Sequence, residues 1–133
     1  MQDFRAEFIE ISKEEFRDNE ALFGFLINRK DVIAITGGGF LGSLWTRVPT
    51  RVINEYPNNK IVIMPQSMYY EDSNYGRLCE IEDKEAFSKH KDLIVCFREE
   101  VSLNRFLELK LKNIKAVLVP DMALLLDYEE RDI

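Results

Sequence analysis

Short apolar runs recur along the chain: VIAIT (32–36), IVIMP (61–65), LIVCF (93–97) and AVLVP (116–120). Each is continuous rather than alternating and rich in β-branched residues or leucine, the pattern of parallel strands buried on both faces. An earlier segment, EFIEIS (7–12), reads as a fifth strand or a sheet edge.

The segments between the runs have helical periodicity. Ser12 and Glu15 form an S-x-x-E capping box, which predicts a helix carrying Phe16, Phe23, Leu26 and Ile27 on one face and ending near Asn28. Behind three consecutive glycines, Leu41, Leu44, Trp45, Val48, Val52 and Ile53 keep helical spacing. Pro49 lacks a backbone donor and imposes either a kink there or a fresh start with Pro49 in the first turn. EYPNN then closes that segment as a turn. A third helix includes EDKEAFSKH and a fourth EEVSLNRFLELKL, with Leu103, Phe106, Leu107 and Leu111 on a shared face. Strands alternating with helices predict an α/β fold, a parallel sheet of four to five strands with right-handed crossovers and helices on both faces.

Length and charge narrow the class. The 133 residues, 46% of them hydrophobic, suffice for one packed core, so residues 1–133 are expected to form a single domain. A net charge of −6, with acids and bases interspersed, argues against nucleic acid and against an anionic membrane surface as partners. No apolar run approaches the roughly 20 residues of a membrane span, and the N-terminus lacks the pattern of a signal peptide, so a cytoplasmic protein is expected. Cys79 and Cys96 suggest neither a disulfide framework nor a metal site. His90, the only histidine, sits in the charged turn SKHKD and is expected in solvent; Ser-His-Asp or zinc chemistry would have no second histidine to draw on.

In parallel α/β sheets ligands bind at the carboxyl ends of the strands, which singles out four loops: TGGGFLGS (36–43), PQSMYYEDSNYG (65–76), FREEVS (97–102) and PDMA (120–123). Gly37, Gly38 and Gly39 could expose backbone N–H groups to an anion ahead of a helix, or could simply allow a tight strand-to-helix turn. GGGFLG matches neither the dinucleotide nor the phosphate-loop fingerprint. Gln66, Ser67 and the polar residues Asp72, Ser73 and Asn74 could hydrogen-bond a sugar or polar head group. Of the neighbouring Tyr69 and Tyr70, one is expected to point inward and one outward. Arg98, a cation at the end of a buried strand, suits a carboxylate or phosphate, with a plain salt bridge as the alternative. Glu99 and Glu100 suit a helix start, Ser102 completes that loop, and Asp121 reads either as a helix cap or as a general acid or base.

The stretches DVIAITGGGFLGSLW, VINEYPNNKIVIMPQSMYY, CFREEVS and VPDMA, in this order and at these separations, resemble the polysaccharide pyruvyl transferase family. The resemblance spans about Asp31 to Asp127, and the Pro65-Gln66-Ser67 and Arg98-Glu99 segments carry most of it. Phe40 and Ser43 stand where the commoner family form has asparagine and aspartate, so polar contacts from those positions are not carried over.

The family is bacterial, builds exopolysaccharides and other cell-surface glycans, and has two Rossmann-like halves in an arrangement like that of the GT-B glycosyltransferases. The resemblance therefore implies part of one Rossmann-like half, incomplete relative to the usual family length. It also implies transfer of a pyruvyl group from phosphoenolpyruvate to a hydroxyl pair of a sugar or glycan-lipid acceptor, forming a ketal, without a metal or organic cofactor. Within that reading, Arg98, Glu99 and Asp121 are the catalytic candidates. Gly37, Gly38, Gly39, Gln66, Ser67, Arg98 and Ser102 are the substrate-binding candidates. Two other readings stand beside it: a glycosyltransferase-like domain that binds a nucleotide sugar, and a non-catalytic remnant that pairs with a partner domain or with its own copy.

Overall fold

The computed structural model describes residues 7–120. Its elements are α1 (Lys13–Asp18), α2 (Glu20–Leu26), β1 (Val32–Ile35), β2 (Gly38–Gly42), α3 (Val48–Glu55), β3 (Lys60–Tyr69), α4 (Asn74–Lys89), β4 (Leu93–Phe97), α5 (Glu100–Leu107) and β5 (Ile114–Leu118). The strands form one parallel sheet in the order β1-β3-β4-β5, with β2 also paired to β3. The expected parallel α/β sheet flanked by helices is present, and each of the four apolar runs supplies a strand.

Burial alternates along the strands although hydrophobicity does not. Ile61 and Ile63 of β3 and Leu93, Val95 and Phe97 of β4 are buried in the core, while Val62, Met64, Ile94 and Cys96 between them are half-buried. Against the buried set pack Val52 and Ile53 of α3, Ala86 and Phe87 of α4 and Phe106 of α5. Phe106 meets both Phe87 and Phe97, at ring separations of 5.5 and 5.2 Å. Such tilted aromatic pairs add to what their buried area contributes.

Several expectations about elements are corrected. Residues 7–12 are not a strand: Phe8 and Ile9 are exposed, and only Ile11 reaches the core. The Ser12/Glu15 capping box does form, with Glu15 N–H donating to Ser12 Oγ at 3.1 Å and Ser12 N–H to Glu15 Oε2 at 2.8 Å. The helix it opens breaks at Asn19, whose backbone is non-helical and whose side-chain amide takes the Glu15 carbonyl. Phe16 and Phe23 still stack across the break, but Leu26 is exposed. The segment after the glycines is not helical either. It continues as strand β2, and α3 begins only at Val48, with Pro49 in its first turn. Helix α4 starts earlier than EDKEAFSKH, at Asn74, where Ser73 Oγ accepts from Gly76 N–H at 3.0 Å. Ser73 is thus spent as an N-cap. Leu107, expected on the inner face of α5, is exposed.

His90 is buried, not solvated. It ends α4, and its ring joins two segments: Nδ1 accepts from Asp92 N–H at 3.1 Å, which leaves Nε2 to donate to the Tyr56 carbonyl at 2.9 Å. Both cysteines are free thiols. No helix of the described residues is long and apolar enough to cross a membrane.

Candidate functional site

Strand β3 has ten residues where β4 and β5 have five, so its second half runs out along the carboxyl rim of the sheet. There Gln66 lies between Gly38 of β2 on one side and Phe97 of β4 on the other. Fully buried, it donates from Nε2 to the Thr36 carbonyl at 3.1 Å, and its own carbonyl accepts Arg98 N–H at 3.2 Å. One side chain thereby ties the end of β1 to the centre of the sheet, and the adjoining backbone ties in the loop after β4.

The glycines have a structural task in this arrangement. A Cβ on Gly37 would collide with the Pro65 carbonyl, and Gly42, at a φ of +109°, would drive a Cβ into the Tyr69 carbonyl. The segment therefore lies flush against β3 because it has no side chains at these contacts. The expected helix N-terminus directly behind the glycines is absent, since β2 occupies that place.

Ser67 begins a second cluster. Arg98 Nε donates to Ser67 Oγ at 2.7 Å, and Ser67 Oγ donates to Glu99 Oε2 at 2.8 Å. From the first turn of α5, Ser102 Oγ donates to Glu99 Oε1 while accepting Met68 N–H at 2.9 Å. Arg98 Nε and Glu99 Oε2 lie 3.6 Å apart, with both side chains partly exposed. Gln66, Ser67, Arg98, Glu99 and Ser102, which lie on separate loops in the sequence, thus share one patch of the rim. Gly37 and Gly38 run alongside, Gly39 lies further along β2, and Asp121 lies outside the described residues.

Next to this patch is a buried ionic cluster that the sequence reading missed. Asp83 of α4 is completely buried. It accepts from Arg47 at 2.6 and 3.0 Å, from Thr50 Oγ1 at 2.6 Å and from Tyr70 OH at 2.7 Å. Arg47 also reaches the Gly42 carbonyl at 3.0 Å. Burial opposes the charge on Arg47, but Asp83 outweighs it and raises the guanidinium's affinity for its proton. Burial first, and then Asp83, push the Tyr70 phenol far above its ordinary range. Tyr70 thus turns inward, while Tyr69 is exposed, the division expected of the pair. A signal for Asp83 does exist in the sequence: it falls in register with Cys79, Ala86 and Phe87, an acid on an apolar helix face. Among the described residues, no group of three or more His, Cys, Asp or Glu side chains could hold a metal ion.

The fold and site define a parallel α/β protein with a cation, hydroxyls and an amide gathered at its carboxyl rim. The chain belongs to the polysaccharide pyruvyl transferase family, whose model matches residues 2–133. It is similar to general stress protein 30 of Bacillus subtilis (strain 168), 28% identical over 130 residues, covering 96% of this chain and 37% of that protein. It is also similar to the putative pyruvyl transferase EpsO of the same organism, 34% identical over 103 residues, covering 74% of this chain and 30% of that protein. The chain thus spans about a third of the length of these relatives. No solved structure matches it.

Proposed function

We propose that the carboxyl rim holds the anionic donor of a pyruvyl transfer, phosphoenolpyruvate, and that the reaction serves the building of a cell-surface or exopolysaccharide. In this reaction the donor's methylene carbon gains a proton and its C2 becomes oxocarbenium-like. Two hydroxyls of a sugar or glycan-lipid acceptor then form bonds to C2 and release their protons, while the bond from C2 to the phosphate oxygen breaks. The product is a ketal, and phosphate leaves.

The observation that carries this reading is Arg98, partly exposed at the carboxyl rim and held by Ser67, in a chain of this family. A guanidinium suits a carboxylate or phosphate, and Ser67 and Glu99 hold it at the rim. Gly37, Gly38 and Gly39 contribute mainly by bringing β2 flush against β3, and Asp121 is a candidate for proton transfer. Catalysis is proposed for a chain of the relatives' length, of which this one spans about a third; the 133 residues alone are expected to bind donor and to turn over weakly or not at all.

Thermal-shift titration tests the assignment. Phosphoenolpyruvate is expected to raise the melting temperature in a concentration-dependent way, and Arg98→Ala to abolish that response. A rise with nucleotide sugars and none with phosphoenolpyruvate would replace this reading by that of a nucleotide-sugar-binding domain.

A further inference from the structure

We infer that Glu99 is a positioning residue: it holds the Arg98 guanidinium, through Ser67, in place for a carboxylate or phosphate ligand. The inference rests on the rim being an anion site, and it follows from counting hydrogens. Arg98 Nε–H points at Ser67 Oγ, so the single hydroxyl hydrogen of Ser67 is left for Glu99 Oε2. Met68 N–H points at Ser102 Oγ in the same way, and the hydrogen of Ser102 has two acceptors in reach, Glu99 Oε1, the nearer, and the Met68 carbonyl at 3.5 Å. Two chains of donors therefore converge on one carboxylate, and both of its oxygens act as acceptors.

Ser102 is itself fixed by the backbone of β3, so the carboxylate is held from the strand and from the helix together. The spacing Arg98-Glu99-x-x-Ser102 is what makes this possible: Glu99 sits at the cap position of α5, and Ser102 comes back beneath it in the first turn.

Calorimetric titration of phosphoenolpyruvate into the chain and its variants tests the inference. Glu99→Gln changes a partly exposed side chain and is expected to melt close to the parent. Its affinity is expected to fall about tenfold, the loss of one charge-assisted contact. Undiminished affinity in Glu99→Gln would overturn the inference.

A ligand-free measurement separates this inference from the donor assignment. The Arg98 Nε–H should give a resolved, slowly exchanging NMR signal that disappears in both Ser67→Ala and Glu99→Gln. If phosphoenolpyruvate fails to bind but that signal behaves as described, the donor assignment falls and the positioning role stands. A signal that survives Glu99→Gln rejects the positioning role whatever the ligand.

Discussion

Asp83 has no contact with solvent and four hydrogen bonds from Arg47, Thr50 and Tyr70, so removing its carboxylate leaves a cation whose side chain is only 20% exposed with the exposed Glu82, 3.3 Å away, as its remaining ion-pair partner among the described residues. Breaking a buried pair from one side costs about 3–5 kcal/mol, and Asp83→Ala is expected to lose that much in urea denaturation. Tyr70 adds a pH dependence whose sign is fixed. Its phenol keeps its proton in the fold to a higher pH than in the unfolded chain, so the contribution is whole below about pH 10 and shrinks above it. Stability is expected to fall on that alkaline limb by up to about 1.4 kcal/mol per pH unit from this group, and Tyr70→Phe should flatten the limb while lowering the plateau. Neither residue announces itself to a reader of the sequence. Asp83 stands among six other charged residues between Glu80 and Lys91, and only its helical register with Cys79 and Phe87 marks it out. His90 misleads in the same way, because charged neighbours say nothing about where a ring at the end of a helix is turned.

At the level of elements, the strands β1, β3, β4 and β5 could be read directly, because continuous β-branched runs have few alternatives in so short a chain. Strand β2 could not. Its glycines carry no hydrophobic signal, and the apolar residues behind them keep a helical spacing that the chain does not use. The pairing of β2 with β3 depends on the absence of side chains at Gly37 and Gly42, a matter of close approach that periodicity does not register. The same substitution at two glycines is therefore expected to act in opposite directions. Gly42→Ala combines a positive φ with a collision against Tyr69 and should cost at least about 2 kcal/mol. Gly24→Ala, inside α2 with open space around it, should gain about 0.5–1 kcal/mol. Thermal melting of the two variants against the parent checks both.

For the molecule as a whole, the grouping of the candidate residues on one rim was legible and their wiring was not. That ligands sit at the carboxyl ends of parallel strands is a property of the architecture, and it points to the loops that carry Gln66, Ser67, Arg98, Glu99 and Ser102. That Ser67 and Ser102 both converge on Glu99 depends on β3 outrunning β4, which places Ser67 and Met68 beside the start of α5. Strand length at that resolution lies outside what a hydrophobic pattern specifies.

The order of the strands has one more consequence. Because β3, β4 and β5 are laid down side by side in the sequence in which they are synthesised, each new strand finds its template already in place as the polypeptide leaves the ribosome. No later segment among them has to be threaded between two earlier ones. The sheet can grow outward from β3, and among the described residues β5 is its last margin.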